Sequence, residues 1–372
     1  FTVDLTGTNL SLPNSESTTF SVTFDPSSVG EIATNVIIAS DDTDESVYNF
    51  AIKGSGTNIS ESDIITDASF TYSENIPYQN FQVSTINVPA NGLGVAQFIL
   101  RDGGVTANDS DALGTTLSSI EFSGSHYNTI RSAALFSGTD LISNVSTINA
   151  NAGTITFTGL SGAFATADDD SERTFTLYVS FLGNVSDNAQ LTFTITNVLS
   201  DDSVGSSFAT IDGGGAAAST VGNVNRIEVS ADRLAFSVQP NGQNVGLDLD
   251  TFTVAAVDAM NNVDVDFTAP NTIALTTSGV GMSSSSPYSF TDGVIDISNV
   301  QFGSTQNSIT ITATTSGLAF SNDVISNPFS ISTVADDSYK STSNGTWTSA
   351  TWEQKLGGSC IASSNPPLYS TS

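Results

Sequence analysis

Basic residues are the scarcest feature of this sequence: 8 lysines and arginines stand against 38 acids in 372 residues, a formal net charge of −30. Nucleic acid and anionic membrane surfaces both call for a basic face, so neither is an expected partner. Histidine and cysteine occur once each, as His126 and Cys360. Any Ser-His-Asp, Cys-His or multi-histidine metal centre would therefore rest on His126 alone, and no nucleophile-elbow motif accompanies it. One cysteine excludes an intrachain disulfide, which modules of about 100 residues or more can do without. No run approaches the roughly 20 apolar residues of a membrane-spanning helix, so direct insertion in a membrane is not expected either. A non-enzymatic chain is the expectation.

What is present points to strands. Hydrophobic residues make up 38% of the chain and phenylalanine occurs 22 times, too much apolar material for disorder despite the charge. Lysine, glutamate and leucine, which fill helices, give way to Thr, Ser, Asn, Asp and Gly, which fill strands and turns. The apolar residues recur with period two: Phe20, Val22 and Phe24; Tyr48, Phe50 and Ile52; Phe175, Leu177, Val179 and Phe181; Leu191, Phe193 and Ile195; Leu234, Phe236 and Val238. Further strand candidates are Val95–Leu100, Leu117–Phe122, Ile130–Phe136 and Thr154–Thr158. Pro26, Gly30 and Pro240 punctuate the pattern. The fold class read from this is all-β: antiparallel β-sandwich modules in tandem, Ig-like or jelly-roll-like.

The punctuation divides the chain into four segments. Residues 1–58 resemble the Ig-like module of bacterial choice-of-anchor D proteins, related to HYDIN domains. The resemblance lies in Phe20 to Pro26, Gly30, the SDDTDE turn at 40–45 and Tyr48 to Gly56. It covers the later half of such a module and implies that its first strands lie outside this chain. Residues 59–225 form the largest unit; RDGGVTANDSDALGTTLSSIEF (101–122) and IRSAALFSGTDLI (130–142) resemble a module repeated in giant Bacteroidetes surface proteins. Residues 226–335 are similar to the bacterial Ig-like, invasin-type module, with Asp258, Asn262 and Asp266-Phe267-Thr268 in place. Asn261 and Ala269 stand where that family has glycines, and Asn261 is expected to tolerate the positive φ of the turn. Residues 336–372 resemble a linker and the start of a further module, through Asn344, Gly345, Trp347, Thr351, Trp352 and Glu353. A chain that starts at Phe1 and stops in mid-motif at Ser372 reads as a segment of a longer polypeptide.

Calcium is the sharpest chemical expectation, because the ion takes about 6–8 oxygens from carboxylates, carbonyls and Asn. The candidate ligands are Asp102, Asn108, Asp109 and Asp111, joined by Asp168, Asp169, Asp170 and Glu172 if their hairpin lies at the same end, with Asp168 and Asp170 foremost among them. Asp41, Asp42 and Asp44 make a third cluster. The bland alternative is that these residues build Asx turns on an acidic surface. Tyr72, Tyr78, Tyr127, Trp347 and Trp352 are candidates for a sugar-stacking platform, against the reading that they are core. The resemblances imply a structural or adhesive segment of a giant protein, secreted to the outer cell surface by a type IX route and used in attachment or gliding. Its expected partners are neighbouring modules of the same polypeptide and surface glycans or other cells. The alternative is an accessory or carbohydrate-binding region of a large secreted hydrolase.

Overall fold

The structure, a computed structural model, describes the chain apart from residues 14, 26–29, 42, 45, 57–61, 105–111, 215–224, 316–322, 334–338, 342–351, 357–358 and 364–372. Strands dominate, and no α-helix occurs among the described residues; helical turns are short 3-10 segments such as Tyr78–Asn80. The chain forms two compact units, Phe1–Glu228 and Val229–Ser372.

The first unit begins with two hairpins. Strands β1 (Thr2–Asp4) and β2 (Ser21–Thr23) pair with each other, and β3 (Gly30–Ala39) pairs with β4 (Val47–Gly56) through ten consecutive partners. The alternation expected at 20–24 and 48–52 is there, with Val36 opposite Phe50 and Ile38 opposite Tyr48. Yet no described residue before Gly56 is buried.

Two five-stranded sheets come next within the same unit. One has the order β5-β6-β13-β8-β9: Asp63–Thr66, Leu93–Arg101, Glu172–Phe181, Ile130–Ser137 and Asp140–Ser143. In the other, β7 (Thr115–Ser123) is central. It is flanked by β11 (Thr154–Thr158), β12 (Thr166–Ala167) and β15 (Thr194–Ser200), with β10 (Thr147–Asn149) beyond β11. The faultless alternation of 175–181 becomes the middle strand of its sheet, paired to β6 on one side and β8 on the other. Phe98 of β6 stacks on its register partner Phe175 at 5.2 Å and meets Phe122 of the opposite sheet at 6.0 Å. Phe157 closes on Phe122 edge-on at 6.5 Å. These four rings are fully buried and join the two sheets into a sandwich. A short pair, β14 (Gln190–Leu191) with β16 (Asn225–Arg226), completes the unit.

The second unit opens with β16's neighbour in sequence, β17 (Arg233–Val238), which pairs with β19 (Phe252–Val257), itself paired with β23 (Val294–Ile297). Pro240 and Gly242 then carry the chain to a different sheet, where β18 (Gln243–Asn244) lies parallel to β28 (Phe329–Ser332). A side chain at Gly242 would meet the carbonyl of Ser330 at 2.6 Å, so only glycine lets the strands close here. Strand β28 also pairs with β25 (Gln306–Ile309). The next strand, β26 (Ile311–Thr315), lies between β20 (Thr272–Thr277) and β27 (Val324–Ile325), and β22 (Tyr288–Ser289) edges β20. Strands β21 (Met282–Ser283) and β24 (Gln301–Phe302) form a separate pair. Phe252, Val254, Ile273, Ile297, Phe302 and Ile311 lie in one buried cluster fed by these sheets. Strands β29–β31 (Tyr339–Ser341, Trp352–Leu356, Ser359–Ser363) make a final three-stranded sheet. The molecule is all-β, built from separate, mostly antiparallel sheets in sandwich-like modules.

Candidate functional site

The candidate calcium loop leaves the end of β6. Arg101, the last residue of that strand, sets its guanidinium on Asp63 of β5 with two bonds, Nε to Oδ1 at 2.9 Å and Nη2 to Oδ2 at 2.6 Å. The forked pairing raises the arginine above its ordinary value, the hydrogen bond to Asp63 foremost, with the charges of Asp63 and Glu172 adding to it against an opposing desolvation. Next comes Asp102, followed by Gly103 and Gly104, both at positive φ (76° and 65°), which turns the chain away from the strand.

Asp102 is fully buried. Thr115 Oγ1 donates to its Oδ1 at 2.5 Å, and the amide of Asp170 donates to its Oδ2 at 3.1 Å. The Thr115 hydroxyl has one proton and gives it to the carboxylate, so the 2.5 Å contact with Ser62 Oγ is a bond donated by Ser62. Asp102 also donates its own amide to the carbonyl of Ser171 at 3.0 Å. Two distant stretches thus meet on one carboxylate, Thr115 at the head of β7 and the turn between β12 and β13, and Ser62 before β5 joins them through the Thr115 hydroxyl. Gly114 allows the approach, since a side chain there would collide with the carbonyl of Ala167.

The hairpin of Asp168–Glu172 does lie at the Asp102 end. Asp168 and Asp170 are exposed, the latter at φ 54°, and Ser171 caps the turn by giving both its amide and its hydroxyl to the Asp168 carbonyl. Asn108, Asp109 and Asp111 lie outside the described residues, as does Asp42 of the third cluster. Among the described residues no three His, Cys, Asp or Glu side chains are grouped to hold a metal ion. What the arrangement does on its own is lock the end of the sandwich. Sequence reasoning missed Ser62 and Thr115, for no periodicity or motif links residues 53 positions apart.

Trp347 and the side chain of Trp352 lie outside the described residues, and the candidates that follow take structural roles. His126 sits in the left-handed region at φ 60°, and its Nδ1–H donates to the Gln190 carbonyl at 2.7 Å beside the Ser125 hydroxyl, which does the same. Tyr78 and Tyr127 are buried, so they present no face to a sugar. Tyr127 stacks on Phe193 at 5.2 Å and donates its hydroxyl to the Thr192 carbonyl; burial pushes its ionisation far above the ordinary tyrosine range. Tyr72 is half-buried, edge-on to Phe70. In the second unit Asp258 is buried, and its Oδ1 accepts the amides of Met260 and Asn262 at 2.8 and 2.9 Å. Asn262 Nδ2 returns to Asp258 Oδ2 at 3.2 Å, while Asn261 takes φ 67° as its side chain permits. The acid–amide pair that marks the invasin-type resemblance is a turn lock.

A different pattern emerges where segments far apart in sequence run parallel within each unit. In the first unit, Ile76 and Ile227 form a parallel bridge: the Ile76 amide donates to the Arg226 carbonyl at 2.8 Å, and the Glu228 amide to the Ile76 carbonyl at 3.1 Å. Both isoleucines are fully buried. Arg226 adds a bond from its amide to Ser73, and Asn225 one from its side chain to the Val95 carbonyl at 2.6 Å. In the second unit the parallel β18/β28 pair plays the same part, extended by the Val245 amide on the Ser332 carbonyl at 2.9 Å.

No protein-family model matches the chain, and neither does any curated protein. Among solved structures, a chain described as the BSP domain of a biofilm-associated protein is similar over 64% of this chain and 63% of its own length, with 11% identity and a TM-score of 0.18. That likeness is too slight to carry weight.

Proposed function

We propose that this chain is a structural segment of a surface-exposed adhesive protein, in which β-sandwiches in series hold a binding partner at a distance from the cell. The observation that supports the reading is a parallel pairing of segments far apart in sequence within each unit, Ile76 with Ile227 and Gln243–Asn244 with Ile331–Ser332. Two segments that run side by side in the same direction bring the chain in at one end of a module and release it at the other. Such an arrangement suits modules joined in series. The surplus of acid keeps such a string soluble and self-repelling. The polar groups that sequence alone offered as chemistry, Asp102, His126 and Asp258, lie in bonds that hold turns and corners.

The test is accessibility on intact cells of the source. Antibody against residues 62–228, or added protease, should reach the protein without permeabilisation, and deletion of this region should reduce attachment. Labelling confined to broken cells would overturn the reading. Calcium belongs to the same proposal at the Asp102 end, where Asp168 and Asp170 present exposed carboxylates.

A further inference from the structure

We infer that residues 242–245 and 330–332 form a shear clamp that sets the force at which the second unit unfolds when residues 241 and 333 are pulled apart. The inference rests on the stalk reading for its purpose but not for its physics. When force acts on the start of β18 and the end of β28, this parallel pair is loaded along the strand axis. All its hydrogen bonds then resist together, whereas force across a pair breaks them one after another.

The geometry at this place meets that requirement. Gln243 lies opposite Ile331 and Asn244 opposite Ser332, in parallel, and Val245 donates its amide to the Ser332 carbonyl at 2.9 Å. Gly242 packs directly on the Ser330 backbone. The outgoing strand is anchored from behind. Phe329 and Ile331 are buried in the core, and β28 is paired on its far side to β25 through Gln306–Ile331 and Ile309–Phe329. The incoming strand is short, but the chain beyond it is tied down: Gly246 donates to the Phe302 carbonyl at 3.0 Å and Leu249 to the Val300 carbonyl at 2.8 Å. Between these two anchored sides, the clamp is the layer that shear loads. Forced unfolding is governed by the unfolding barrier rather than by equilibrium stability. A change confined to this layer will therefore move rupture force more than melting temperature.

Direction of pull is the decisive control. In the 372-residue chain with Cys360→Ser, cysteines at exposed Asn241 and Thr333 grip opposite ends of the β18/β28 pair and shear it. Cysteines at exposed Asp248 and Thr333 grip the same end and peel it. Single-molecule pulling should give a clearly higher rupture force for Asn241→Cys/Thr333→Cys than for Asp248→Cys/Thr333→Cys. Val245→Pro, which deletes one clamp donor, should lower the first and leave the second nearly unchanged. Equal forces in the two geometries would overturn the clamp, as would a Val245→Pro chain that remains folded by circular dichroism and ruptures at the original force. Neither result bears on surface exposure, so a failed clamp and a failed stalk are separately visible.

Discussion

Residues 1–56 and the central sandwich carry the same alternation and come to opposite ends. The hairpin β3/β4 has ten paired residues, yet Ile37 stands 67% exposed and Tyr48 64%, and no described residue before Gly56 is buried. Strand β13 has the same length and the same period, and Phe175, Leu177, Val179 and Phe181 are wholly excluded from water. The difference is company. β13 has β6 and β8 on its flanks and a second sheet across its face, while β3 has β4 alone among the described residues. Alternation thus says which face of a strand is apolar, and only long-range pairing decides whether that face is covered.

The contrast is breakable in order of effect. Phe175→Ala should destabilise the first unit by about 3–5 kcal/mol, since it opens a cavity against Phe98, whereas Phe50→Ala in the exposed hairpin should cost about 1 kcal/mol or less. Equal shifts in denaturant midpoint for the two would erase the distinction. Thr115→Val comes next, at about 1–3 kcal/mol, because it leaves the Asp102 carboxylate and the Ser62 hydroxyl short of a buried partner. A neutral result in the same melts would mean that the Asp102 network does not hold the end of the sandwich. For calcium, an excess of about a hundredfold over Kd is worth about 2.7 kcal/mol, so EDTA should lower the melting temperature of the first unit by several degrees and Ca²⁺ should restore it. An unchanged transition would leave Asp102 a strut only.

The smallest effect is alkaline. Burial raises the ionisation of Tyr127 above the ordinary value of 10.0. The folded state therefore holds the proton more tightly than the unfolded one. Its contribution is complete below about pH 10 and is lost as pH rises beyond it. Tyr127→Phe should make the melting temperature less steep above about pH 10, and an identical slope in both proteins would contradict the assignment.

Much of the fold was legible because strand period is a local property. The runs expected at Val95–Leu100, Leu117–Phe122 and Phe175–Phe181 lie inside β6, β7 and β13. Strand β17 ends at Val238, just ahead of Pro240, and Asn261 takes the positive φ expected of it. The site was legible only as a neighbourhood. That the Asp168–Glu172 turn would come to Asp102 was a conditional reading, and the Asp170 amide on Asp102 fulfils it. That Asp102 would be buried was not visible, because a carboxylate ahead of two glycines looks like any solvated turn. Its partners Ser62 and Thr115 arrive through sheet pairing across tens of residues. The Ile76–Ile227 bridge spans still more chain, and no window of sequence contains both halves.

Each of the two units holds a parallel pairing of distant segments, Ile76 with Ile227 and β18 with β28. That these units resist force as wholes is the central claim, and pulling the whole chain by its ends tests it most directly. Two discrete, cooperative ruptures are predicted, one for each unit, preceded by low-force extension of residues 1–56. A chain that lengthens gradually with no discrete event would contradict it.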